Sequence, residues 1–103
     1  MPWSIVIEDS EGKEELALDM AFKFETLLDA LEDRNDKFLD QFRLLRYLDP
    51  YGSTKFNTIQ MDDLMADLKL LQTHEEEPQI EKIIELCRKY QVEPHTFMTF
   101  VGD

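Results

Sequence analysis

The chain has 103 residues, 43% of them hydrophobic, which suits one domain (1–103) built around one core. Its 23 Asp and Glu residues against 11 Lys and Arg residues give a formal net charge of −12. Such a surface repels nucleic acids and anionic membranes, so we expect neither as a partner.

The single cysteine, Cys87, excludes an internal disulfide framework and fits a reducing, cytoplasmic setting. The first residues lack the basic region and the apolar run of a signal peptide. No stretch is apolar over the length needed to cross a bilayer. We therefore expect a cytoplasmic protein.

The N-terminal third is predicted to form a β-hairpin and then a helix. Trp3, Ile5 and Ile7 alternate with the residues between them, and a turn at Gly12 leads to a second alternating run from Leu16. That second run also fits helical spacing, and this alternative stays open. The preferred prediction is a strand to about residue 21 and a helix over about 24–33.

Residues 36–48 are ambiguous between helix and strand. Their apolar residues form a helical stripe, whereas "LLRYL" followed by "DPYGS" and "TKFN" is typical of a hairpin. We predict short strands at about 43–48 and 54–57. In the turn between them, Pro50 presets φ and Gly52 tolerates the left-handed conformation.

Two helices and a strand are predicted for the remaining residues. One helix has an apolar stripe from Met61 to Leu71 and Asn57 or Thr58 as its cap. The next begins near Pro78 and stops at Pro94. Its buried side is predicted to consist of Ile80, Ile83, Ile84, Cys87 and Tyr90.

The C-terminal "HTFMTFVGD" reads as a strand that joins the N-terminal hairpin. The predicted class is α+β: a small antiparallel sheet, made of the N-terminal hairpin and the C-terminal strand, packed against two or three helices.

No spacing of residues indicates catalysis, a cofactor or a metal. The segment from Asp33 to Leu44 lacks the glycine and the glutamate of a calcium loop, and Cys87 falls on an apolar helix side. We therefore expect a protein that is not an enzyme and carries no cofactor. A metal-dependent hydrolase using Asp49, Asp62 and His74 is one alternative.

The aromatic and polar corner at residues 47–57 is a candidate recognition site. Tyr47, Asp49, Tyr51, Lys55 and Asn57 could present rings and hydrogen-bonding groups from a stiff turn. The same residues also have a structural explanation, in which Asp49 closes an Asx turn, Tyr51 packs on the sheet edge and Asn57 caps a helix. The two explanations are compatible.

A second candidate surface lies on the two later helices. Asp62, Asp67, Glu81 and Glu85 are predicted to share their solvent side and to form one negative face for a basic protein partner. An ordinary solvated face is the alternative. A homo-oligomer joined through the terminal strand or residues 38–42, with a homodimer as its simplest form, is a further alternative.

Roughly the last 60 residues resemble a group of small, acidic, uncharacterised bacterial proteins with a D-x-Y-G-x-T-x-F-N centre and an F-x-GD end. The residues that carry this resemblance are Asp49, Tyr51, Gly52, Thr54, Phe56, Asn57, Phe100, Gly102 and Asp103. The resemblance implies a bacterial origin. By analogy it implies an immunity or inhibitor protein that masks a basic toxin.

Overall fold

A computed structural model describes residues 3–9, 11, 14–22, 24–93 and 95–102. The strands within these residues are β1 (Trp3–Glu8), β2 (Glu14–Phe22), β3 (Ser53–Asn57) and β4 (Phe97–Val101). The helices there are α1 (Glu25–Asp33), α2 (Asp36–Leu39), α3 (Met61–Leu71) and α4 (Gln79–Tyr90), with 3₁₀ turns at Leu45–Tyr47 and Thr58–Gln60. The predicted α+β class is confirmed.

The strands form one antiparallel sheet in the order β2-β1-β4-β3. Ile5 of β1 and Thr54 of β3 both lie opposite Phe100 of β4. The predicted N-terminal hairpin and its pairing with the C-terminal strand are therefore confirmed. The predicted strand at about 54–57 is confirmed as β3, which joins the sheet beyond β4 as its fourth strand.

The prediction of a strand at 43–48 is wrong. The segment contains the 3₁₀ turn, and β3 pairs with β4 instead. The helical alternative is correct in part, since 36–39 is helical and 45–47 is the 3₁₀ turn, with turns and bends between them. Leu39, Phe42, Leu45 and Leu48 come at intervals of three residues and are all buried. A strand would turn successive members of that series to opposite faces.

The core lies between one face of the sheet and the helices. Trp3, Ile5 and Ile7 are buried as predicted, and so is the α4 stripe apart from Tyr90, which is half-buried. The largest fully buried side chains are Phe24, Phe42, Phe100, Ile5, Ile7, Leu27, Leu45, Met61, Leu64, Leu68 and Leu71.

The cap before α3 is also confirmed. Asn57 Oδ1 accepts the Gln60 N–H at 3.1 Å, and Gln60 Oε1 accepts the Asn57 N–H at 2.9 Å. This reciprocal pair caps the 3₁₀ turn that leads directly into α3. The predicted turn at Gly12 and helix stop at Pro94 lie outside the described residues.

No helix in the described parts of the chain combines the length and the apolar character needed to cross a membrane.

Helix α1 ends at a residue that is poorly suited to the backbone conformation there. Arg34 has φ 54° and ψ 47°, in the left-handed region, and both its own N–H and that of Asn35 are donated to the Ala30 carbonyl. Helices commonly end in this way, but usually with glycine at the left-handed position. A side chain there costs conformational energy that glycine avoids.

We expect Arg34→Gly to raise the free energy of unfolding by about 0.5–1 kcal/mol, because the relief of left-handed strain exceeds the added entropy of the unfolded chain. Urea denaturation measures the change. Arg34→Gln is the control and should leave stability nearly unchanged, since it keeps the strain. Equal stability of the two variants would contradict the conformational explanation.

Burial raises the pKa of the Cys87 thiol to about 12 because a thiolate there would lose its hydration. The unfolded chain releases this proton near pH 9.0. The contribution to stability is therefore complete below pH 9 and is lost as the pH rises toward 12. Between pH 8 and 10 we expect the free energy of unfolding to fall by about 1 kcal/mol more than in Cys87→Ala. Rapid alkylation of the native protein at pH 8 would show that the thiol is accessible instead.

Candidate functional site

The corner is built on a tight turn closed by Asp49. The Tyr51 N–H donates to Asp49 Oδ1 at 2.9 Å, and the Asp49 N–H donates to Thr54 Oγ1 at 2.9 Å. These bonds confirm the predicted Asx turn. The expectation for Gly52 is wrong, because it does not adopt a positive φ. It suits the turn because a Cβ there would lie 2.6 Å from Asp49 Oδ2.

The turn is fastened to the end of β4. The Gly102 N–H donates to the Gly52 carbonyl at 2.6 Å, and a Cβ on Gly102 would lie 2.6 Å from the Pro50 carbonyl oxygen. The Phe56 and Phe100 rings meet edge to face at 5.6 Å. The turn at Asp49 and the C-terminal end of β4 thus pack against each other, while Asp103 lies outside the described residues.

Asp67 holds the other side of the corner from inside the protein. It is only 4% exposed, and its carboxylate accepts the N–H groups of Arg43 at 3.1 Å, Leu44 at 2.6 Å and Leu45 at 3.0 Å. The prediction that Asp67 lies on a solvent face is therefore wrong. Asp67 is buried because its carboxylate accepts three backbone N–H groups that have no partner in a helix or strand.

Two tyrosine rings project from this fixed corner. Tyr47 is 65% exposed and Tyr51 is 70% exposed, so the predicted packing of Tyr51 on the sheet edge is wrong. The Arg46 guanidinium carbon lies 5.1 Å from the centroid of the Tyr47 ring. The corner therefore presents aromatic surface on an ordered backbone, as protein-binding sites do.

Lys55 and Asn57 have local partners. Lys55 Nζ lies 3.7 Å from Glu8 Oε1, which also accepts the Thr99 hydroxyl at 2.6 Å, so Lys55 is tied to the open face of the sheet. Asn57 is exposed, and its side-chain Oδ1 accepts the Gln60 N–H in the cap described above. These two residues contribute more to local structure than to the tyrosine surface.

The predicted negative face of α3 and α4 is mixed in charge. Asp62, Glu81 and Glu85 are exposed, as expected. The exposed residues of the same two helices also include Lys69, Lys82, Arg88 and Lys89. A long-range attraction for a basic partner is weak from such alternating charges.

Sequence reasoning missed a uniformly negative surface on α1. Glu25, Asp29, Glu32 and Asp33 are all exposed, and α1 contains no Lys or Arg. We call these four residues the α1 acidic surface. The spacing of i, i+4 and i+7 from Glu25 already places three of them on one side of a helix.

The loop after α3 adds further negative charge beside this surface. Glu75 Oε1 accepts the Leu27 N–H at 3.0 Å, which supplies the cap that the side chain of Phe24 cannot provide. The bond brings the run Glu75 to Glu77 next to the start of α1, with Glu76 exposed.

Among the described residues, no three His, Cys, Asp or Glu side chains come together as a metal site would need. Asp49, Asp62 and His74 thus form no common site there. The ring of His74 meets Phe38 edge-on at 5.1 Å, and its Nε2 lies 3.3 Å from Gln41 Oε1.

The terminal strand and residues 38–42, suggested as a homo-oligomeric seam, make contacts within the chain. Strand β4 is paired on both sides, by β1 and by β3, and Phe42 is buried.

Comparison of the chain with protein-family models, with curated proteins and with solved structures found no match.

We expect Asp67→Asn to lower the free energy of unfolding by about 2–4 kcal/mol, because an amide cannot accept all three buried N–H groups. Asp63→Asn is the matched control. Asp63 pairs with the exposed side chain of Arg43 at 3.2 Å and should cost less than about 0.5 kcal/mol. Urea denaturation of both variants measures the difference, and similar losses would refute the structural role of Asp67.

Proposed function

We propose that this protein is a binding module for a basic protein and that the α1 acidic surface makes the first contact. By analogy with the bacterial group that it resembles, the partner would be a basic toxin, and binding would mask it as an immunity or inhibitor protein does. The observation that carries the proposal is the uninterrupted row of four exposed carboxylates on α1.

The placement of these carboxylates costs the free protein stability. Asp29 has like charges four residues before and after it, at Glu25 and Asp33, and each such pair destabilises a helix by about 0.2–0.5 kcal/mol. Glu32 and Asp33 also sit in the last turn, which contains no basic residue and where the helix dipole disfavours negative charge. Cationic side chains of a partner would relieve both effects.

The corner at residues 47–57, called the tyrosine corner below, is suited to the close-range contacts of binding. Tyr47 and Tyr51 are exposed, yet their backbone is fixed by Asp67, Asp49 and Gly102. A fixed corner loses little conformational entropy when it binds. Charge would then set the rate of association, and the rings would set the lifetime of the complex.

Two triple variants with the same change of net charge test the proposal. Asp29→Asn/Glu32→Gln/Asp33→Asn removes three of the four negative charges of the α1 acidic surface. Asp62→Asn/Glu81→Gln/Glu85→Gln removes three negative charges from the mixed-charge face of α3 and α4. At about 50 mM salt we expect the wild-type protein to capture a basic protein from lysate of the native host and to release it by about 500 mM. The α1 variant should capture at least about tenfold less, while the control variant keeps most of its binding.

A stability measurement accompanies the capture experiment. Because repulsion is removed, the α1 variant should be more stable than wild type by about 0.5–1 kcal/mol at low salt. Equal capture by both variants, or capture that ignores salt, would contradict the electrostatic proposal.

A further inference from the structure

A groove of about 290 Å³ lies between the end of α1, helix α2 and the tyrosine corner. Its described lining includes the apolar residues Leu31, Leu39, Leu48 and Pro50, of which Leu39 and Leu48 are buried. The volume is close to the lower end of small-ligand sites, roughly 300 Å³. It accommodates a few side-chain atoms rather than a large cofactor.

Two arginines reach this groove from different elements. Arg34 comes from the end of α1 and Arg46 from the 3₁₀ turn, and Asp36 is the one acidic residue in the lining. Among the described lining residues two arginines stand against Asp36, and Asp40 pairs with Arg46 from outside the lining, on a protein of net charge −12. Charge complementarity selects an anionic group next to an apolar one.

Arg34 occupies its position at a conformational cost. Its φ of 54° would suit glycine better, and within the described residues no carboxylate lies within 4.0 Å of its guanidinium. Neither the conformation at the helix end nor an ion pair therefore explains why position 34 is an arginine. A strained residue beside a groove points to a binding role.

Arg46 is oriented without being fully occupied. Its guanidinium lies 3.5 Å from Asp40 Oδ1 and stacks on Tyr47, and 39% of its side chain remains exposed. An arginine has five N–H donors, so the Asp40 contact leaves several available. Arg46 therefore keeps donors for a carboxylate in the groove that Arg34 also lines.

We propose that the groove binds a peptide segment of the protein partner in which an acidic side chain lies next to an aliphatic one. The aliphatic chain packs on Leu39 and Leu48, and the carboxylate lies between the two arginines. The inference rests on the proposed function, because the segment belongs to the same partner. The α1 acidic surface and the groove then recognise opposite charges on that partner and fix its orientation.

The probe is the acetylated and amidated tripeptide Leu-Glu-Leu, titrated into isotopically labelled protein and followed by NMR. We expect shifts at the Leu39 and Leu48 methyl groups and at the Arg34 and Arg46 Nε–H groups, with a Kd of about 1 mM. Leu-Gln-Leu, which lacks the charge, and Ala-Glu-Ala, which lacks the aliphatic chains, should each bind at least about fivefold more weakly.

Arg34→Gly separates binding from folding. It should weaken Leu-Glu-Leu binding at least about fivefold while raising stability, and Arg46→Gln should also weaken binding. Lys37→Gln removes a nearby exposed cation outside the groove lining and should change nothing. The groove proposal alone would be overturned if about 10 mM Leu-Glu-Leu caused no shifts. It would also be overturned if Leu-Gln-Leu bound as tightly as Leu-Glu-Leu, or if Arg34→Gly bound Leu-Glu-Leu as tightly as the wild-type protein. The proposal for the α1 acidic surface alone would be overturned if the peptide still bound while the α1 triple variant captured as much basic protein as the wild-type protein.

Discussion

The carboxylate of Asp67 connects α3 to the irregular middle of the chain through three backbone hydrogen bonds. Irregular backbone has no ladder to receive its N–H groups, so a buried segment of this kind needs an acceptor from elsewhere. By fixing residues 43–45, Asp67 also fixes the 3₁₀ turn that follows. The position of Arg46 and Tyr47, and with it one wall of the groove, depends on this single side chain.

Two groups of acidic residues among the described ones play different structural parts. Asp49, Asp67 and Glu75 accept backbone N–H groups of a turn, a 3₁₀ segment and a helix start, respectively. The carboxylates of the α1 acidic surface face solvent, beside one another and partly at the unfavourable end of a helix dipole. The first group supports the fold, whereas the second group lowers its stability slightly.

The sequence predicted the elements with clear periodicity, namely β1, the α3 and α4 stripes and the pairing of β4 with the hairpin. It misassigned 43–48 because a hairpin-like motif competed with a helical stripe, and the burial that decided between them depends on tertiary packing. Asp67 was predictable in principle, since it lies three residues after Leu64 and four before Leu71, within the buried stripe. The groove was not, because Arg34 and Arg46 come to line one groove only after α1 and the corner have packed.

Strand β4 joins parts of the chain that are far apart in sequence. Ser4 pairs with Val101, across nearly the whole length of the chain. The N–H of the next residue, Gly102, donates to the Gly52 carbonyl in the turn of the corner. The β1–β2 hairpin forms from local contacts, but the rest of the sheet must first close a long loop at an entropic cost. Closure of the sheet and assembly of the corner at residues 47–57 therefore both require this long-range pairing. Until it occurs, β1 has a free edge that other chains can pair with.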